Sequence, residues 1–416
     1  MITVKSFRVV HYFYIRWRYA VAYIYFDLNK KTFTSLKHDE FLSVMTGYFC
    51  TVGYGLDHFA VQEILNFPDV SVTEVITGKV FFSKENVSTE QLSLKTIERL
   101  FVKVLHTKVD PQIEIDSVIN WVENEIDAGN ILWSDILETW KQLANIDRQI
   151  QIKFRVNARL TGKFRKVELY PKVSASIVAI FLKHCDAISE LSQPDLEIFF
   201  HLSEAYLTIG LPVARRPLSN RIYLKHIAVR STVCCALCIA AKVSAKDVLL
   251  DPMCGAATIL IEAIKQFNVK CAVGIDNSLA QLKLAQENQK ESNVLSELTL
   301  ILGDSRELFL KKESFDVVIC DVPFGRKFGC GVEIKPLLNS VVKTIEILLK
   351  PGGRVVILIS EELREFVVNL CQTWTLTGEY PLRLGKLSAC ILSWCKSPNQ
   401  DHGEPQCSAS GGTISA

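Results

Sequence analysis

The sequence predicts an α/β protein: a C-terminal Rossmann-like, mainly parallel sheet preceded by an α+β region. Three observations carry this. From Lys246 onward, apolar strand-like runs alternate with amphipathic helical stretches, the pattern of strand–crossover–strand units. The first of these runs breaks at Asp251 into a turn containing Gly255, just before an apolar helix. Acids then stand at the ends of successive runs, at Asp251, Asp276, Asp304 and Asp321.

A chain of 416 residues exceeds one ordinary domain. With 49% hydrophobic and 22% charged residues it can bury sizeable cores without disulfides or metals. Its 47 basic and 45 acidic side chains leave a net charge of +2, so any nucleic-acid surface must be local. The thirteen cysteines are scattered through apolar runs, as at Cys234, Cys235, Cys271, Cys320 and Cys390, and no cleavable leader precedes them. They read as reduced, buried thiols of a nuclear or cytosolic protein.

Residues 1–46 are an unassigned N-terminal segment. Their stretch 9–26 is apolar and aromatic, but Arg16 and Arg18 stand near its middle, which argues against a membrane span. Its composition suits a strand pair or an atypical leader equally. Over 47–110, short apolar runs at 48–52, 70–76 and 79–82 alternate with amphipathic stretches at 57–65 and 89–104, a small α+β unit. Helical spacing with an acidic bias follows over 111–148, a helical insertion or bridge.

From 149 to 214 the chain turns basic: Lys153, Arg155, Arg159, Lys163, Arg165 and Lys166 are interleaved with Phe154 and Phe164. A helix is expected near 173–185 and strand-like sequence within 196–209, and a second basic cluster follows at Arg215, Arg216, Arg221 and Lys225. The last domain, 215–396, carries predicted strands at 247–251, 271–276, 298–302, 315–320, 354–359 and 388–394. Helices are expected near 257–266, 279–292, 335–349 and 361–370. Residues 397–416, rich in Ser, Gly and Pro, have the composition of a disordered tail.

The turn Asp251-Pro-Met-Cys-Gly255 sits where open α/β sheets bind ligands, outside the carboxyl end of the first strand. Asp276, 21 residues after Gly255, can accept both hydroxyls of a ribose, and Asp304 can reach an adenine amine. Gly255-Ala-Ala-Thr-Ile-Leu260 lacks the second glycine that admits a pyrophosphate. The combination suits S-adenosylmethionine, a nucleoside cofactor without phosphate, in a class I methyltransferase sheet. A lone Asp in any of these places would read as a helix cap or strand-end carboxylate. Three at successive strand ends reverse that reading.

The fourth strand closes in Asp321-Val-Pro-Phe324, an acid, a proline and an aromatic. An exocyclic amine conjugated to a base is a poor nucleophile, so a site must accept its N–H bonds. The Asp321 carboxylate and a nearby backbone carbonyl can do so, Pro323 shapes the turn, and Phe324 can stack on the base. Neither a metal nor a covalent nucleophile is needed, since positioning is the task. The string alone would read equally as a turn. Its place after the cofactor motifs makes an amine methylase the better reading.

Other motifs weigh toward the plain reading. Cys235 and Cys238 have metal-ligand spacing but lie in an apolar helical run without a second pair, so no metal site is expected. His184, His201 and His226 stand apart from any nucleophile-like serine or cysteine, which leaves hydrolase chemistry unsupported.

Taken together, Asp251-Pro-Met-Cys-Gly255-Ala-Ala-Thr258, Asp321-Val-Pro-Phe324, Phe154-Arg-Val-Asn-Ala-Arg159 and Ile209-Gly-Leu-Pro-Val-Ala-Arg-Arg-Pro-Leu218 resemble the THUMP-containing RNA guanine-N2-methyltransferases, over roughly 47–396. Ala256 and Ala257 stand where that family has Ser and Gly, and Val322 where it has proline. The resemblance implies a ferredoxin-like domain at 47–110, a THUMP domain at 149–214 and N2-methylguanosine formation in a structured RNA, with U6 small nuclear RNA favoured and tRNA next. It also implies RNA contacts at Arg155, Arg159, Lys163, Arg165, Lys166, Arg215 and Arg216, a small zinc-binding activator subunit, and a nuclear location. The rivals are a non-catalytic RNA-binding scaffold with a decayed methyltransferase fold, and an amine methylase acting on DNA adenine or protein glutamine.

Overall fold

A computed structural model describes residues 47–84, 94–147, 149–306, 310–322 and 334–397, with the backbone of four two-residue strands before them. Two of those strands, Arg16–Trp17 and Ala20–Val21, pair with each other, as do Phe26–Asp27 and Thr32–Phe33. Two compact units form: one holds residues up to 52 and 60–218, the other 53–59 and everything from 219 on.

In the first unit the elements are β1 (Gly47–Val52), α1 (Asp57–Leu65), β2 (Val70–Ile76), β3 (Lys79–Lys84), β4 (Ile97–Lys108), α2 (Ile115–Asp127), α3 (Trp133–Leu143), β5 (Ile152–Leu160), α4 (Leu169–His184), β6 (Ala187–Ser189), β7 (Leu196–Leu202) and β8 (Tyr206–Pro212). Their strands form one eight-stranded sheet in the order β6-β5-β7-β8-β4-β1-β3-β2. Segments 47–110 and 149–214 therefore share a sheet, joined where β8 runs antiparallel to β4. Leu196, Ile198, Phe200 and Leu202 alternate inward along β7, the period of a strand with one face on a core. Phe154 of β5 lies on that helix-covered face, 4.4 Å between ring centroids from Phe181 of α4.

The second unit carries α5 (Ser231–Ala240), β9 (Val248–Asp251), α6 (Thr258–Phe267), β10 (Cys271–Asp276), α7 (Leu279–Glu291), β11 (Leu298–Leu302), β12 (Phe315–Asp321), α8 (Ile334–Leu348), β13 (Leu349–Ser360), α9 (Arg364–Leu370), β14 (Thr375–Leu384) and β15 (Leu387–Cys395). Its seven strands run in the order β11-β10-β9-β12-β13-β15-β14. The first five are parallel, and β15 enters antiparallel between β13 and β14. This is the class I methyltransferase sheet expected from the alternating runs. Strands buried on both faces need continuous apolar sequence, which is why β9, β12, β13 and β15 were plain to read.

Order reverses between β9 and β12, so the crevice of this sheet opens beside their carboxyl ends, at Asp251 and Asp321. Where an amphipathic stretch was expected over 89–104, residues 97–108 form the strand β4, and the edge strand β14 was not anticipated. The expected apolar helical run is α5, whose Cys234, Cys235 and Cys238 are fully buried, in keeping with core packing. Among the described residues, no helix is long and apolar enough to cross a membrane, and no cluster of His, Cys, Asp and Glu could hold a metal.

Candidate active site

The loop after β9 is strapped onto the end of β10. Cys254 donates its N–H to the Ile275 carbonyl at 2.8 Å, and the Gly255 N–H reaches Asp276 Oδ2 at 2.9 Å. The other Asp276 oxygen accepts the N–H of Ser278 at 2.8 Å, where α7 begins. Gly274 permits this closeness: a Cβ there would lie 2.8 Å from Leu260 Cδ1 and 2.9 Å from Cys254 Sγ. Gly255 itself has φ +51°, the left-handed region that glycine enters without strain. A Cβ at Gly255 would meet nothing nearer than Gln281 Oε1 at 3.8 Å, so the turn presents bare backbone. Ala257, at φ +58°, takes the next left-handed position despite its methyl group.

This cradle fits S-adenosylmethionine. Open backbone at Gly255 and a half-buried Asp276 locked by two N–H donors suit a nucleoside with a free ribose edge. Asp251 lies beneath, fully buried and accepting the Met253 N–H at 3.0 Å. Burial, with Asp321 and Asp276 nearby, pushes its carboxyl well above the usual range. Asp304 ends β11 at the rim, but Arg306 forks onto its carboxylate, with Nε 3.0 Å from both oxygens, and holds it ionised below the usual range.

Asp321 closes β12, partly buried, and its Oδ1, shielded from solvent, has no hydrogen-bond partner among the described residues. Desolvation raises its carboxyl to about 7. An unpartnered acceptor poised near neutrality beside a cofactor crevice is what an incoming N–H donor needs. Pro323 and Phe324 lie outside the described residues.

Sequence reasoning missed Asn288, on α7. Its fully buried amide donates to the Ala256 carbonyl at 2.9 Å and the His226 carbonyl at 2.7 Å, and its oxygen accepts the N–H bonds of Lys225 and His226. It thereby ties the cofactor turn to the segment entering the domain. A polar residue inside a helix gives no sequence signal of a partner 32 residues away. Asn288→Ala is expected to destabilise the protein by about 2–3 kcal/mol, since four backbone groups lose a partner. Urea unfolding with and without cofactor would measure it, and a change under 0.5 kcal/mol would show the amide to be incidental.

The expected RNA-binding residues divide. Arg159, Arg165, Lys166, Arg215 and Arg216 are exposed. Arg155 forks onto Glu197 and also donates to the Leu191 carbonyl, and Lys163 Nζ donates to the Ile113 carbonyl. The interleaved Phe154 and Phe164 are buried in the core. Arg221 likewise turns inward, its Nε 3.4 Å from the buried Glu262.

Residues 219–376 match the family model UPF0020: RMKL-like, methyltransferase domain. With the sheet order and the β9 turn, this makes the chain an S-adenosylmethionine-dependent methyltransferase. Its likeness to the THUMP-containing guanine-N2-methyltransferases is borne out by relatives that include the U6 snRNA (guanine-N(2))-methyltransferase THUMPD2 of Bos taurus, 28% identical over 76% of this chain and 78% of that protein. The tRNA (guanine(6)-N2)-methyltransferase of Methanocaldococcus jannaschii is 20% identical over 76% and 91% of the two chains. Among solved structures, TrmN from Thermus thermophilus superposes with TM-score 0.66 at 21% identity, over 84% of this chain and 99% of that one. SMU.472 complexed with SAH gives TM-score 0.62 at 14% identity, over 86% and 100%.

Proposed function

We propose that the protein transfers a methyl group to the N2 amine of a guanosine in a structured RNA. U6 small nuclear RNA is the favoured substrate and tRNA the next. The observation that carries this is the Asp321 carboxylate, whose shielded Oδ1 has no partner among the described residues, at the carboxyl end of β12 beside the cofactor turn. S-adenosylmethionine, when bound, supplies a methyl group already activated on a sulfonium. The chain's own residues do the rest: Gly255, Asp276, Asp251 and Asp304 shape and hold the cofactor pocket, while Asp321 accepts an N–H of the amine. That hydrogen bond orients the nitrogen lone pair and stabilises the positive charge that develops there, until the proton leaves. Phe324 stacks on the base and Pro323 fixes the turn.

Exposed Arg159, Arg165, Lys166, Arg215 and Arg216 supply phosphate contacts in this reading, with Arg155 and Lys163 contributing only after leaving their present partners. Both curated relatives are named for guanine-N2 methylation, which favours RNA over DNA adenine or protein glutamine. The THUMPD2 name is what favours U6 and a nuclear location. A small zinc-binding activator subunit completes the reading; the edge strand β11 ends in an exposed Leu302, an apolar position such a subunit could cover.

The test is to incubate the full chain, with and without the activator, with methyl-labelled cofactor and either U6 RNA or total tRNA, then digest to nucleosides. Labelled N2-methylguanosine is expected, with U6 ahead of tRNA. Label in no guanosine with the partner present would refute the function, and preference for tRNA would refute only the substrate.

A further inference from the structure

Among the described residues, the face of the first unit's sheet opposite its helices is strongly concave. Lys79 of β3 and His201 of β7 are separated by β8, β4 and β1, which in a flat sheet would place them roughly 19 Å apart. Yet Lys79 Nζ lies 2.7 Å from His201 Nδ1. The hollow is floored by stacked aromatics: Phe49 and Phe101 are 4.5 Å apart and parallel within 2°, with Phe81 and Phe199 against them. Gly210 makes room for this floor, because a Cβ there would fall 2.3 Å from Phe49.

Above the floor stands an excess of cationic and imidazole groups. Lys79 is 6% exposed, its amine held by His201, whose other nitrogen is 3.4 Å from Thr161 Oγ1. Arg159 is paired in register with His201 and lies close enough to Lys79 and His201 to oppose their protonation. Lys103 and Lys79 both act on His106, which stacks on Phe81 at 3.8 Å and places Nε2, without a hydrogen bond, 3.4 Å from Glu74. Glu74 is the acid that faces this group among the described residues, since Glu197, farther along β7, is forked to Arg155. Burial and mutual repulsion push Lys79 down to about 8, His106 to about 4 and His201 to about 3. A buried Lys79 and a part-buried Lys103, with the exposed Arg159 at the edge, face one carboxylate, a charge excess that opposes folding and suits a site shaped for an anionic ligand.

We infer that this hollow seats a phosphate group between Lys79, Lys103 and Arg159, with the neutral imidazole of His201 as an additional hydrogen-bonding group. The phosphate is either one belonging to the RNA substrate, in which case the assignment rests on the function proposed above, or free phosphate. Aromatic stacking beneath it gives the site a dry floor on which charge-assisted hydrogen bonds are strong.

The full-length protein should melt a few degrees higher in about 10 mM phosphate than in chloride of equal ionic strength. Lys79→Gln with Lys103→Gln should lose that increment. The same double variant should itself melt higher than the parent in chloride, because buried repulsion is relieved. Should the double variant not fold, Arg159→Gln, at an exposed position, carries the same comparison.

Binding of a U6 hairpin across a salt series separates the two sources. A loss of about tenfold in affinity, with the log–log salt slope reduced by roughly 0.7–0.9 per cation removed, assigns the site to RNA phosphate. Unchanged RNA binding with a lost phosphate increment assigns it to free phosphate. Equal phosphate effects on parent and variants would overturn the inference, and would do so even if methyl transfer to guanosine were established.

Discussion

Replacing Asp321 by Asn should lower methyl transfer by about 10²- to 10³-fold while cofactor affinity changes little, the scale seen when one preorganised hydrogen-bonding group is removed from a transition-state site. The parent's rate should also rise with pH through about 7 and then level, since only the ionised carboxylate offers a free acceptor to the amine. Asp251, deeper in the fold, is also pushed upward by burial, so Asp251→Asn is the control that separates the two carboxyls in this profile. A stability signature accompanies the kinetic one. Asp321's folded-state value lies above its unfolded 3.8, so the folded chain keeps a proton that the unfolded chain sheds between about pH 4 and 7. That contribution favours folding at low pH and is lost as pH rises through the window. Asp321→Asn should flatten this slope and be relatively more stable at pH 8 than at pH 5. Chemical denaturation at the two pH values and single-turnover kinetics from pH 5.5 to 9 would check both. A pH-independent rate in the parent, or a variant with more than a tenth of its activity, would remove Asp321 from the chemistry.

What the sequence disclosed followed burial. β9 and β12 sit in the middle of a parallel sheet and must be apolar on both faces, so their runs and the acids ending them could be located within a residue, whereas β13 begins five residues before the run at 354–359 that marked it. The edge strand β14 gave no such signal: most of its residues are exposed, and Gly378 and Pro381 interrupt it. The basic segment was legible as charge but not as direction. Arg155 and Arg159 lie on the same face of β5, yet Glu197 on the neighbouring strand occupies one and leaves the other. That difference depends on a parallel pairing between residues 42 positions apart, which no local pattern encodes. The cationic hollow was equally hidden, because β2, β3, β4, β5 and β7 each contribute only one or two of its polar residues, and their pairing across the sheet brings them together.

Arg221 shows the same limit with the largest expected effect on stability. It reads as part of a basic cluster, but Glu262 on the apolar helix α6 is completely buried and draws it inward. Glu262 Oε1 also accepts the Tyr223 hydroxyl at 3.0 Å, and Oε2 accepts the Cys235 thiol at 3.3 Å. Gln266 in turn donates to the Tyr223 hydroxyl at 2.8 Å. Glu262→Ala would take the carboxylate away from a guanidinium that is 11% exposed and leave two further donors without their acceptor. Breaking a buried pair from one side costs about 3–5 kcal/mol, a large fraction of the stability of most domains. Glu262→Gln keeps the volume and one acceptor and should cost less, whereas the double change Arg221→Met with Glu262→Leu should recover most of the loss, because neither charge then remains buried. Urea unfolding of the parent, Arg221→Met, Glu262→Leu and the double variant forms a double-mutant cycle. Additive single losses would mean that Arg221 and Glu262 contribute separately, and that the inward turn of Arg221 is set by packing of its aliphatic stem rather than by the carboxylate.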